Sequence, residues 1–125
     1  MEKDRSLIAI IDDDASFRDA LDRLIKSYGF PTASFPSASD FLESDYVSRT
    51  SCLISDMYMP VMSGLELQSR LASMGRTIPI IFVSSFSDDT IQQRALQAGA
   101  VGFLGKPVDQ DEMLSCIHSA LESDA

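Results

Sequence analysis

Three stretches of this chain are apolar without interruption by polar residues: Leu7-Ile8-Ala9-Ile10-Ile11, Cys52-Leu53-Ile54 and Ile78-Pro79-Ile80-Ile81-Phe82-Val83. A strand with one face in water alternates apolar and polar side chains, so a continuous run reads as a strand covered on both faces. Such strands belong to parallel sheets with helices on both sides, which restricts the topology severely. Each run also leads abruptly into polar groups. The first ends in Asp12-Asp13-Asp14, the second reaches Asp56 through Ser55, and the third stops at Ser84-Ser85. Met59-Pro60 ends the second strand, because proline offers no N–H and pushes the residue before it towards extended geometry. Pro79 is tolerable only near the start of the third.

Between these strands the periodicity changes to that of helices. Phe17, Leu21, Leu24, Ile25 and Tyr28 recur at helical spacing with charged residues between them, and Gly29 is placed as a stop. Thr32-Ala33-Ser34-Phe35 reads as a weaker strand, and Ser37 or Ser39 as the cap of a short helix holding Phe41, Leu42 and Tyr46. Ser63-Gly64 opens a helix with Leu65, Leu67, Leu71 and Met74 as its apolar side. Ser87-Asp88-Asp89 offers cap chemistry for another carrying Ile91, Ala95, Leu96 and Ala98. Val101-Gly102-Phe103-Leu104 reads as a last strand before Gly105-Lys106-Pro107, and a final helix runs from about Gln110 to Leu121. Five strands alternating with five helices across short connections predict one α/β domain over residues 1–125, doubly wound around a five-stranded parallel sheet.

The composition suits that reading: 125 residues, 45% of them hydrophobic, can bury one core. A net charge of -9 argues against direct nucleic-acid binding, which needs clustered Lys and Arg. Cys52 and Cys116 have no metal-ligand spacing and read as small buried apolar residues in a reducing compartment. No apolar run is long enough for a membrane span, and Met1-Glu2-Lys3-Asp4-Arg5 lacks a signal-peptide core, so a cytoplasmic protein is expected.

In the strand order 2-1-3-4-5, the strand ends bring Asp12, Asp13, Asp56, Ser84 and Lys106 to one edge of the sheet, where ligands bind in folds of this kind. Three crowded carboxylates repel one another and call for a proton or a cation. With only oxygen donors and no His or Cys beside them, Mg²⁺ is the cation that fits. Carboxylates, Mg²⁺, a lysine and a hydroxyl are the parts that phosphoryl transfer requires. Asp56, the lone carboxylate on the central strand, is the candidate nucleophile, and its product would be a labile aspartyl phosphate.

The residues Ile11-Asp12-Asp13-Asp14, Asp56 to Leu67, Val83-Ser84-Ser85 and Ala98 to Pro107 together resemble the receiver domains of bacterial two-component response regulators. The second half is most similar to receivers of the nitrogen-fixation regulator type. The resemblance implies the receiver (flavodoxin-like) fold and a phosphoacceptor switch rather than an enzyme. Asp56 would take phosphate from a sensor histidine kinase, and Asp12, Asp13, Asp56 and the backbone carbonyl of Tyr58 would bind Mg²⁺. Ser84 and Lys106 would hold the phosphoryl oxygens, and Ser84 and Phe103 would move inward on phosphorylation. The Lys106-Pro107 bond would be cis. The surface of the fourth helix, fifth strand and fifth helix would bind an output domain, a downstream protein or a second copy.

The chain departs from the commonest family pattern at four positions. Ser84 stands for threonine and Phe103 for tyrosine, while the bulky Tyr58 and Phe86 flank the approach of the hydrolytic water and are expected to slow phosphoryl loss. Two other readings compete. A Mg²⁺-dependent phosphatase of the haloacid-dehalogenase kind would carry a second Asp where Tyr58 stands. A receiver-like interaction module that takes no phosphate would usually lack one of the acidic or lysine residues. Asp14 reads as a helix cap, His118 as a surface residue, and Met57, Met59 and Met62 as packing.

Overall fold

The computed structural model describes residues 6–86 and 88–123. Met1–Arg5, Ser87 in the expected helix cap, and the last two residues lie outside them. In chain order the elements are β1 (Leu7–Ile11), α1 (Ala15–Ser27), β2 (Thr32–Phe35), α2 (Ala38–Leu42), β3 (Thr50–Asp56), α3 (Gly64–Ser73), β4 (Ile80–Ser84), α4 (Asp89–Gln97), β5 (Gly102–Gly105) and α5 (Gln110–Ser123). A short 3-10 turn, Val47–Arg49, precedes β3. All strand pairings are parallel, in the order β2-β1-β3-β4-β5. The expected five-stranded sheet and its order are what the chain forms.

The unbroken apolar runs have the cause inferred for them: both faces of the sheet are covered. Side chains alternate along each strand. Ile8 and Ile10 of β1, Cys52 and Ile54 of β3, and Ile81 and Val83 of β4 face α1 and α5, where they meet Leu21, Ile25, Met113, Ile117 and Ala120. Ala9, Ile11, Leu53, Ile80 and Phe82 face the other way, onto Phe41 of α2, Leu67 and Leu71 of α3, and Ala95 of α4. The sheet thus divides the interior into two cores. Ala95 is the one buried residue of α4.

Local chemistry sets the helix starts. Ser63 and Glu66 form a reciprocal capping box: the Ser63 hydroxyl accepts from the Glu66 N–H at 3.2 Å, and the Glu66 carboxylate accepts from the Ser63 N–H at 2.8 Å. Ser37 caps α2 and Asp88 caps α4. Gly64 begins α3 against the end of β3, where a Cβ would stand 2.7 Å from the Phe82 ring and 3.0 Å from the Asp56 carbonyl oxygen. Only glycine allows that approach.

Several boundaries and burials differ from the sequence reading. β4 starts at Ile80 rather than Ile78, because Pro79 has no N–H to give the ladder; its carbonyl accepts from the Leu53 N–H instead. Helix α2 stops at Leu42 and leaves Tyr46 outside. The Ser44 hydroxyl bonds back to the Phe41 carbonyl at 2.7 Å and accepts from the Tyr46 N–H at 3.1 Å, a local alternative to another helical turn. Met74 and Leu96 are exposed: Met74 caps the end of α3, and Leu96 is one residue, about 100°, round α4 from the buried Ala95. Burial raises the Cys52 thiol to about 12, whereas Cys116 is only half-buried, at the edge of the α1/α5 core. Among the described residues no helix is long and apolar enough to cross a membrane.

Candidate functional site

The parallel register delivers the polar strand ends to one edge. Ile11 pairs with Ser55, Asp56 with Val83, and Ser84 with Gly105, so Asp12, Asp56, Ser84 and Lys106 emerge side by side. Asp12 and Ser84 are almost wholly buried and Asp56 is 7% exposed, while Asp13 faces solvent. The carboxylate oxygens of Asp12, Asp13 and Asp56 can be chosen so that all lie within 4.8 Å of one another.

Each acidic residue is held differently. Asp12 Oδ1 accepts from the Asp14 N–H at 2.9 Å, its Oδ2 accepts from Lys106 Nζ at 2.9 Å, and its carbonyl accepts from Arg18 Nη1 at 2.7 Å. Asp14 caps α1, accepting from the N–H groups of Ser16 and Phe17. Lys106 Nζ also stands 3.8 Å from Asp56 Oδ1 and 4.3 Å from the centroid of the Phe17 ring.

Asp56 is where the crowding registers. Burial, and then the neighbouring Asp12, push its carboxyl up from 3.8 to about 6; Lys106 and a hydrogen bond from the Tyr58 backbone oppose the shift. Lys106 alone does not offset the burial and the neighbouring carboxylate. The donor set contains oxygen and no soft ligand, and it fits a small hard cation such as Mg²⁺, which Asp12, Asp13 and Asp56 would hold.

At the far side of the cleft the Ser84 hydroxyl donates to the Phe86 carbonyl and accepts from the Phe86 N–H. Phe86 is 68% exposed, and its ring meets Tyr58 edge to face, with centroids 5.6 Å apart. Phe103 is half-buried on the α2/α3/α4 side, its ring 6.4 Å from that of Phe82. The Lys106–Pro107 peptide bond is cis. The Lys106 N–H donates to the Ser84 carbonyl at 2.9 Å, tying the end of β5 to that of β4.

The family model of the response regulator receiver domain matches residues 8–118, which span all five strands and the acidic cleft. The chain belongs to this family. The response regulator protein TodT of Pseudomonas putida is 44% identical over 117 residues, 94% of this chain and 52% of that protein. The transcriptional regulatory protein FixJ of Bradyrhizobium diazoefficiens is 36% identical over 114 residues, 91% of this chain and 56% of FixJ. The receiver thus spans about half the length of these relatives. Among solved structures, the response regulator StyR superposes with a TM-score of 0.89 at 38% identity, covering 96% of this chain and 61% of StyR. FixJ-N superposes at 0.84 with 30% identity, over 94% of each chain. These likenesses place the receiver in the FixJ-like subgroup.

The structure brings Asp12, Asp13, Asp56 and Lys106 together with Ser84 on the adjoining strand end, sets Tyr58 against Phe86, and leaves Phe103 packed on the Phe82 side of the sheet. Two neighbours were not singled out. Phe17 reads in the sequence only as a core position of α1, and Arg18 only as part of its charged face. Nothing in their spacing announces that one meets Lys106 and the other Asp12.

Proposed function

We propose that this receiver is a phosphoacceptor switch in which Asp56 takes a phosphoryl group from a sensor histidine kinase. The observation that carries the reading is a cluster of three carboxylates within 4.8 Å of one another, two of them beside one lysine ammonium, with a buried hydroxyl on the adjoining strand. Asp12, Asp13, Asp56 and the Tyr58 backbone carbonyl would hold Mg²⁺, which when bound would supply positive charge to offset the carboxylates and the incoming phosphoryl oxygens. Asp56 in its ionised form directs a carboxylate oxygen at phosphorus in line with the leaving group. An O–P bond forms as the N–P bond of the phosphohistidine breaks; the electron pair returns to the imidazole nitrogen, which takes a proton from solvent. Lys106 moves from its ion pair with Asp12 to a phosphoryl oxygen. Ser84 gives up Phe86 for another phosphoryl oxygen, and Phe103 turns into the space vacated.

The face formed by α4, β5 and α5 carries the signal to an output domain, a downstream protein or a second copy, in the cytoplasm. Within that face α4 is the part with least to hold it, Ala95 being its one buried residue. The switch has no turnover beyond taking phosphate from small donors and losing it to water, and residues 1–125 act as one receiver domain.

Intact mass after incubation with acetyl phosphate tests the reading. One phosphoryl group should be gained, only with Mg²⁺ present, and Asp56→Asn should gain none. A wild-type chain that neither gains mass nor binds beryllofluoride would make this a receiver-like interaction module instead.

A further inference from the structure

We propose that Phe17 is a positioning residue for Lys106, its ring face holding the ammonium beside the two buried carboxylates. The kinetic consequence rests on the phosphoacceptor reading; the contact itself rests on geometry. Lys106 Nζ stands 4.3 Å from the Phe17 ring centroid, 2.9 Å from Asp12 Oδ2 and 3.8 Å from Asp56 Oδ1, and its side chain is 15% exposed. A cation within about 6 Å of a ring face is attracted by the ring quadrupole, more strongly where water is excluded. The ammonium is therefore held by two anionic partners and one aromatic face.

The ring answers a particular need. A lysine ends in a point charge on a flexible four-carbon stem, and one ion pair leaves that charge free to pivot. A third contact on another side restricts it. The sequence also fixes where the ring stands. The Phe17 N–H donates to the Asp14 carboxylate, and Arg18 donates to the Asp12 carbonyl. The acidic run that supplies Asp12 thereby pins the helical turn that supplies the ring. Phe17 is half-buried against the α1/α5 core, so its position is also set by packing.

A simpler account has the ring packing against the lysine methylenes, with no role for its electrons. The two accounts separate under fluorination, which drains charge from the ring face, changes its shape little and makes it more apolar. The experiment places mono-, di- and trifluorinated phenylalanine at position 17 of the chain, beside Phe17→Tyr and Phe17→Leu. Two quantities are read: the NMR shifts of the Lys106 Cε protons in metal-free protein, and the rate of phosphoryl uptake from acetyl phosphate with Mg²⁺.

The expected result is a stepwise fall in uptake along the series, reaching roughly two- to tenfold. The Lys106 protons should drift towards random-coil shifts in the same order, at unchanged thermal midpoint. Phe17→Tyr should behave as wild type, and Phe17→Leu should match or exceed the most fluorinated ring. Unmoved Lys106 shifts together with a flat rate series would overturn the proposal. If wild type itself takes no phosphate, the phosphoacceptor reading falls, and the Lys106 shifts alone decide the contact.

Discussion

The Ser84 hydroxyl and the Phe86 backbone are bonded in both directions, Oγ donating to the Phe86 carbonyl at 3.0 Å and accepting from the Phe86 N–H at 2.9 Å. A hydroxyl committed to its own loop must leave it before it can meet a phosphoryl oxygen. Ser84→Ala should lower hydrogen-exchange protection of the Phe86 amide about fivefold, the worth of one ordinary hydrogen bond. Beryllofluoride with Mg²⁺ should lower it similarly in wild type. An amide unmoved by beryllofluoride would mean that the hydroxyl stays where it is.

Asp56 ties stability to pH. Its folded pKa, about 6, lies above its ordinary 3.8, so the fold favours the protonated form. That contribution is complete below about pH 4 and is lost as pH rises through about 6. In metal-free buffer Asp56→Asn should therefore be more stable than wild type at pH 7.5. After allowance for water at the cleft mouth the gain is about 1–2 kcal/mol, several degrees in Tm. Thermal melts at pH 7.5 and pH 4 check this, and an equal gain at both values would disprove the account.

Tyr58 and Phe86 meet as an edge-to-face pair, which we propose shields the approach of the hydrolytic water. Such a pair holds by about 0.5–1.5 kcal/mol, so its loss should raise the open population, and with it phosphoryl loss, about two- to tenfold. Tyr58→Asn and Phe86→Glu should each show the increase when decay of the phosphoprotein is followed by mass. Lifetimes equal to wild type would rule the pair out as a brake.

Two glycines should respond unequally to alanine. At Gly64 the new methyl meets the Phe82 ring and the Asp56 backbone, neither of which has room to yield. A loss of about 2–4 kcal/mol in urea unfolding is expected. At Gly102 it meets the Cys116 Sγ at 2.8 Å, the end of a side chain that can turn away. The loss there should be about 1 kcal/mol, and Cys116→Ala should relieve most of it. Equal losses at the two sites would contradict this assignment.

The fold was legible because its signals are periodic and local. Runs such as Leu7–Ile11 and residues 80–83 are apolar throughout only when both faces are covered, and strand ends are marked by polar residues such as Asp12 and Ser84. What the sequence concealed depends on geometry between distant residues or on local competition. Lys106 was legible as a cleft residue, but its ion pair with Asp12 joins positions 94 apart and is settled by side-chain conformation. Phe17 met the criterion for a core position and serves as one, while the same ring also touches the ammonium. Tyr46 lost its helix to a hydroxyl two residues earlier, which a hydrophobic pattern does not register.

Helix α4 is anchored to the domain by one fully buried side chain, an alanine with little surface to give up. Its detachment therefore exposes far less apolar area than detachment of α1 or α5, whose leucine, isoleucine and methionine anchors lie deep in the opposite core. The covering of the sheet is therefore uneven: α1 and α5 are sunk into one core, and on the other side α2 and α3 bury Phe41, Leu67 and Leu71 where α4 buries only an alanine. On the proposed switch, a chemical event at the cleft worth only a few kcal/mol suffices to shift α4, because so little apolar surface holds it, while α1 and α5 stay in place.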